Sequence, residues 1–232
     1  MATAVITGGS RGLGFALAKE LVSRGRRVVI DGRDEGALHD AVAALGRLAI
    51  AIPGDVADPA HRTELVEKVD QLGDLDLLVN NASVLGPSPQ PPLVRYPIDT
   101  LERVYRVNVI APLALTQLLL PNLAAVGGTI VNVTSDAAVE PYEGWGGYGS
   151  SKAALEQITA ILGAEQKALH VYAFDPGDMR TVMQQQAFPG EDISDRPEPE
   201  SVVPAFMELV ERRPPSGRYR AADLVSAAPA AS

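Results

Sequence analysis

Residues 4–7 form a short β-branched and aliphatic run, and Gly8-Gly9-Ser10-Arg11-Gly12-Leu13-Gly14 follows at once. Leu13, Leu17 and Leu21 then recur at helical spacing until Arg24-Gly25 supplies a stop signal. Strand period gives way to helix period within one glycine turn, so the chain must open as a β-α unit. Further short apolar runs at 27–30, 48–52, 75–80, 129–134 and 170–174, with a late one at 218–221, alternate with amphipathic stretches. Most of these runs lack polar alternation, which is expected when helices cover both faces of a parallel sheet. The reading is α/β: a single-domain, doubly wound parallel sheet with helices on both faces, spanning residues 1–232.

Two stretches break the pattern. Residues 86–97 hold Pro87, Pro89, Pro91, Pro92 and Pro97 and read as irregular, while 179–199 is long, polar and acidic. Loops of this length in a compact fold serve as lids or binding loops, or are plain surface excursions; a substrate loop at about 179–200 is the expectation. A helix starting at Asp99 or Thr100 turns Leu101, Val104 and Tyr105 inward. Pro112, four residues past Asn108, cannot donate to the Asn108 carbonyl and predicts a kink. The tail at 227–232 reads as frayed.

Composition excludes several classes. No cysteine is present, so a disulfide scaffold, a thiolate metal site and a cysteine nucleophile are ruled out. His39, His61 and His170 are scattered; no metal site is expected, and each reads as a surface residue. Twenty Lys+Arg against 29 Asp+Glu give a net charge of −9, which repels phosphate backbones, so nucleic acid is not an expected partner. The apolar stretch 107–120 is interrupted by Asn108, Pro112, Thr116 and Gln117 and reads as too short for a bilayer. With no leader-like start, the expectation is a soluble, cytoplasmic chain without a membrane partner.

A glycine-rich turn between strand and helix lets backbone approach a pyrophosphate, which the helix N-terminus attracts with unpaired N–H groups. The order strand, turn, helix therefore points to a dinucleotide and to a Rossmann-type sheet. Further along, Tyr148 and Lys152 are four residues apart and share a helix face, and Ser135 ends a strand. An adjacent ammonium and an oxidised nicotinamide both favour phenolate and would together bring the phenol's pKa toward working pH, making it an acid or base.

The glycine spacing, T-G-x-x-x-G-x-G, resembles that of short-chain dehydrogenases/reductases, and signatures along residues 1–182 extend the resemblance. It implies cofactor contacts at Gly8, Ser10, Arg11, Gly12, Leu13 and Gly14, and an adenine contact at Asp55 with Val56. Asn80-Asn81-Ala82-Ser83 is similar to the family's N-N-A-G, with Asn80 and Ala82 toward the cofactor and Ser83 replacing glycine. The resemblance makes Asn108, Ser135, Tyr148 and Lys152 the catalytic set, with Tyr148 and Lys152 also touching cofactor. Pro176, Gly177, Met179 and Thr181 would close on the nicotinamide, and a water on the Asn108 carbonyl would link to Lys152.

Cofactor choice turns on Asp31-Gly32-Arg33. Asp31 lies at the distance beyond the glycines where an acid would favour NAD(H), whereas Gly32, Arg33 and Arg11 match NADP-preferring members. NADP(H) is the expectation, with NAD(H) left open. The implied activity is NADPH-dependent carbonyl reduction, or the reverse alcohol oxidation, on a small uncharged substrate. Alternatives are an NAD-linked dehydrogenase or a non-catalytic NADP-sensing protein. Trp145 and Tyr142 either line the pocket or only pack, and a homodimer or homotetramer is implied.

Overall fold

The computed structural model describes residues 1–226; the expected frayed tail at 227–232 lies outside them. Seven strands, β1 (Thr3–Ile6), β2 (Arg27–Gly32), β3 (Ala49–Pro53), β4 (Leu75–Asn80), β5 (Thr129–Val133), β6 (His170–Asp175) and β7 (Gly217–Arg220), form one sheet ordered β3-β2-β1-β4-β5-β6-β7. Every pairing is parallel. The helices are α1 (Gly12–Ser23), α2 (Glu35–Leu45), α3 (Pro59–Leu72), α4 (Ile98–Tyr105), α5 (Ala111–Val126), α6 (Gly146–Glu165), α7 (Val182–Ala187), α8 (Val203–Arg212) and α9 (Ala221–Ser226). All seven strands foreseen from sequence form within two residues of their expected limits.

Alternation along each strand divides the core. Ala4, Ile6, Val28 and Ile30 face α1, α2 and α8, whereas Val5, Val29 and Leu78 face α3 and α5. Leu17 and Leu21 of α1 are fully buried, each worth roughly 1.5–3 kcal/mol over exposure. The order reverses between β1 and β4, and the crevice over the carboxyl ends of the strands at such a reversal is where open α/β sheets bind ligands. Asp34 and Asp58 cap α2 and α3 by accepting from Ala37 N at 3.1 Å and Ala60 N at 2.9 Å. Arg11, at the same place before α1, makes no side-chain cap, so the first N–H groups of α1 keep no such partner.

Four expectations are corrected. The kink expected at Pro112 is a widened π-turn, Arg106–Ile110, in one continuous rod from Ile98 to Val126. Ala111 N reaches back five residues to Arg106 O, and Pro112 has no N–H to restore the regular ladder. This rod is long and apolar enough by composition to cross a membrane, unlike the shorter stretch weighed from sequence. Its apolar residues have another use here, because Leu115, Leu119 and Leu123 are fully buried against the sheet. The 179–199 segment is not wholly irregular: Thr181 caps the short α7 by accepting from Gln184 N at 3.2 Å. Finally, His61 is not at the surface; it is 4% exposed and packed against Asp31.

Candidate active site

A cleft of about 830 Å³ opens over the carboxyl ends of β1, β2, β4, β5 and β6. Its wall includes Gly8, Ser10, Arg11, Gly12, Leu13, Arg33, Asp55, Val56, Ala82, Ser135, Tyr148, Lys152, Pro176, Gly177, Met179 and Thr181. Gly14, Asn80 and Asn108, also expected at the site, do not line it and act from behind.

At one end lies the glycine turn. Gly12 has φ +55°, where a side chain would strain the backbone, and a Cβ on Gly14 would strike the Gly8 carbonyl oxygen. Asp31 fixes this turn from below: its Oδ1 accepts from Gly8 N at 2.6 Å and its Oδ2 lies 3.1 Å from His61 Nε2. Strand parity explains the geometry, since Asp31 points to the α3 side and Gly32 to the other. Asp31 is 2% exposed, and both its oxygens are engaged within the protein. Arg11 and Arg33 stand at the cleft rim, and among the described residues neither forms an ion pair. Asp55 accepts from Ala57 N at 2.9 Å and pairs with Arg103 at 2.5 Å. Burial pushes its pKa up, but that N–H, Arg103 and the charge of Arg33 outweigh it, so the carboxyl is held below its ordinary value.

Behind the wall, Asn80 Nδ2 donates to Asn132 Oδ1 at 2.8 Å, and Asn132 Nδ2 donates to Thr159 Oγ1 at 2.8 Å. Asn80 thus ties β4 to β5 and α6. The cofactor-side place belongs to its neighbours: Asn81 Nδ2 donates to Thr7 O and Gly8 O at 2.9 and 3.1 Å, and Ala82 lines the cleft. Asn108, fully buried in the π-turn, donates to Ser151 Oγ and Val84 O, each at 3.0 Å, and accepts from Val84 N at 2.9 Å and Ser83 Oγ at 3.2 Å. Its amide clamps the segment after β4 to α6 one turn from Tyr148.

At the other end of the cleft the structure brings together the helix pair and the strand-end serine. Tyr148 and Lys152 project from α6, with Lys152 Nζ 5.4 Å from the Tyr148 ring centroid and donating to Val133 O at 2.8 Å. Burial holds Lys152 down to about 8 despite the charge of Glu156. Burial likewise pushes the Tyr148 phenol well above its ordinary value; Asp136 and Asp175 add to the rise, while the Ser83 and Ser135 hydroxyls oppose it. Ser135 Oγ donates to Asp136 Oδ1 at 2.9 Å, and Tyr142 OH donates to Asp136 Oδ2 at 2.9 Å. Of the two aromatic candidates, Trp145 lines the cleft with its edge toward Tyr148, ring centroids 5.9 Å apart; Tyr142 is half exposed and holds Asp136 instead. Leu85, Ala137, Trp145, Met183 and Ala187 form the apolar wall beside the phenol.

Ser83, Asp136, Asp175, Glu156 and Arg218 were not singled out from sequence. Ser83 alone carried a signal, as the departure from glycine in Asn80-Asn81-Ala82-Ser83.

The family model for the short chain dehydrogenase matches residues 2–192. The chain is 33% identical over 187 residues to a benzil reductase ((S)-benzoin forming) of Bacillus subtilis strain 168, covering 78% of this chain and 75% of that one. It is 34% identical over 183 residues to a serine 3-dehydrogenase of Agrobacterium fabrum, covering 77% and 72%. Among solved structures, a short chain dehydrogenase from Shigella flexneri 2a complexed with NADP superposes with a TM-score of 0.89 at 27% identity, covering 95% of this chain and 97% of that one.

Proposed function

The chain belongs to the short-chain dehydrogenase family, and on that premise we propose that it is an NADPH-dependent reductase of an uncharged, partly apolar ketone or aldehyde. The observation that carries the reading is the convergence of Ser135, Tyr148 and Lys152 on one wall of a cleft whose other end is a glycine turn and an uncapped helix N-terminus.

The residues fit a dinucleotide phosphate. The N–H groups at the start of α1, with no side-chain cap, can donate to an anion. Asp31 is engaged by Gly8 and His61, which removes the acid that would favour a ribose hydroxyl. Arg11 and Arg33 remain as rim guanidiniums that pair with no acid among the described residues, suited to a 2′-phosphate. The Shigella flexneri relative bound to NADP supports the same choice.

A nicotinamide cofactor held there would supply the hydride. Tyr148 would give its phenolic proton to the carbonyl oxygen, and its raised pKa keeps that proton in place at neutral pH, which suits reduction. Lys152, fixed on Val133 O, favours the phenolate left behind. The Ser135 hydroxyl would turn from Asp136 to hold the substrate oxygen.

Arg180 pairs with Glu198, and Arg196 pairs with Asp178 and Asp195, so neither is free to clamp an anionic substrate. The apolar wall around Trp145 favours an apolar or aromatic face beside the carbonyl. The benzil reductase relative points the same way. Exposed Ile110, Leu118 and Ile161 support pairing of subunits through the rod and α6.

The test is NADPH oxidation by the purified protein against aliphatic, aromatic and quinone-like carbonyls, with NADH in parallel and Tyr148→Phe as control. Turnover with NADPH that Tyr148→Phe abolishes is the expected result. Tight NADPH binding without turnover of any carbonyl would favour a nucleotide sensor, and preference for NADH would favour the NAD-linked alternative.

A further inference from the structure

The family match ends at residue 192, yet a side chain from beyond it reaches the back of the catalytic wall. Arg218 lies on β7, paired beside β6. Its Nε donates to Glu156 Oε1 at 2.9 Å, and one terminal nitrogen donates to Asp175 Oδ2 at 2.8 Å and to the Ser135 carbonyl at 3.4 Å. Glu156 is one helical turn beyond Lys152 and also accepts from Thr134 Oγ1 at 2.7 Å. Asp175 is 4% exposed and accepts from Gly177 N at 3.0 Å, fixing the Pro176-Gly177 turn at the cleft. One guanidinium thus joins the ends of β5 and β6 to the helix that carries Tyr148 and Lys152.

We propose that Arg218 is a positioning residue for the reaction: by bridging Glu156 and Asp175 and holding the Ser135 carbonyl, it offsets buried carboxylate charge behind Tyr148 and seats the Pro176-Gly177 turn. The proposal rests on the reductase reading above. The bridged trio carries a net charge of −1; without Arg218 it carries −2. A unit charge in this setting acts on a neighbouring ionisation by about one pH unit at an effective dielectric near 20.

Charged and polar groups act on Tyr148 from every packed element. Lys152 comes from its own helix, Asp136 and Ser135 from the end of β5, Asp175 from the end of β6 and Ser83 from the end of β4. The π-turn presents the neutral Asn108 amide to Ser83, and α7 carries no titratable side chain. Asp175 is thus a negative charge facing the phenol, and Arg218 is its counter-ion.

The experiment follows NADP⁺ affinity against pH by calorimetry, taking the part of the dependence that Tyr148→Phe removes. A positive nicotinamide favours phenolate, so affinity rises as Tyr148 ionises, and the onset of that rise reports the phenol without any substrate. Arg218→Met should move the onset up by about one pH unit, and Arg218→Lys should restore most of it. The triple variant Arg218→Met/Glu156→Gln/Asp175→Asn removes all three charges and keeps neutral hydrogen-bonding groups at 156 and 175; it should move the onset below that of the unaltered protein. It carries the test alone if Arg218→Met does not fold.

Opposite displacements in the two variants are what charge compensation requires, and a merely structural brace would not give them. An onset that Tyr148→Phe removes but that neither variant moves would overturn the proposal and leave the reductase reading intact. Failure of the unaltered protein to bind NADP⁺ would overturn both.

Discussion

His61 and Gly54 make the strongest test of how the cofactor turn is held. His61 is 4% exposed, and its Nε2 lies 3.1 Å from Asp31 Oδ2, while Asp31 Oδ1 takes the Gly8 N–H at 2.6 Å. Replacing His61 by Leu strips one partner from a carboxylate that is itself 2% exposed. A hydrogen bond to a charged group contributes about 1.5–3 kcal/mol, and a buried charge left short of partners costs more, so the loss should be about 3 kcal/mol. In a chain of this size that lowers Tm by about 6–12 °C. Gly54 reports on the same ring, because a Cβ there would strike His61 Nδ1 and its neighbouring carbons. Gly54→Ala should therefore destabilise by displacing the imidazole, yet add nothing to His61→Ala, whose ring is already gone. The assay is urea unfolding of the single and double variants, with NADPH affinity measured alongside. Affinity in His61→Leu should fall about tenfold, roughly 1.4 kcal/mol, as the Gly8 turn loosens. A loss below about 1 kcal/mol in His61→Leu, or simple additivity of Gly54→Ala with His61→Ala, would refute the reasoning.

Two further outcomes are expected. Arg33→Ala removes a guanidinium from the cleft rim, so NADPH affinity should drop about 10–100-fold by titration while NADH binding barely changes; an equal drop for both would place Arg33 off the 2′-phosphate. Lys152 titrates at about 8 instead of 10.5 because it is buried, so from pH 8 to 10.5 the unfolded chain holds a proton that the folded chain has shed, and stability rises with pH. Lys152→Met should abolish turnover yet raise stability at pH 7 by about 2 kcal/mol, which is roughly 3 from the relieved charge less about 1 for the orphaned Val133 carbonyl; the gain should vanish by pH 10.5 in thermal melts.

What could be read from sequence is what short spacing encodes. Tyr148 and Lys152 needed only the helical repeat to share a face, and the glycine turn needed only its place between β1 and α1. The π-turn was half legible: Pro112 told that the ladder must break near Asn108, but the form of the break goes with what Asn108 clamps behind the cleft, Val84 and Ser151, which lie far from it in the chain. Thr181 and Gln184 spell a helix start that would have found α7, had the acidic composition of the segment not dominated the reading. Asp31 was weighed as an acid for a ribose because its distance along the chain from the glycines was right. The decisive fact is parity, since neighbouring strand residues face opposite ways, and Asp31 meets a histidine thirty residues on.

The same limit explains why Arg218 was not seen. Its partners are 62 and 43 residues away in the chain, and nothing local marks an arginine on a short polar strand as the counter-ion of a buried Asp175 and a half-buried Glu156. The arrangement of charge in the cleft then follows a single rule. The acids at the cleft and behind it are engaged: Asp31 by Gly8 and His61, Asp55 by Arg103, Asp136 by the Ser135 and Tyr142 hydroxyls, and Glu156 and Asp175 by Arg218. Among the described residues the cations at the far rim, Arg11 and Arg33, form no ion pair. A cleft so arranged presents positive charge where a phosphate would lie and a low-dielectric, nearly compensated pocket where a proton must move. That second condition is what lets a buried phenol and a buried ammonium work as a pair, because each uncompensated charge nearby would shift their proton equilibrium by more than a reaction near neutral pH can tolerate.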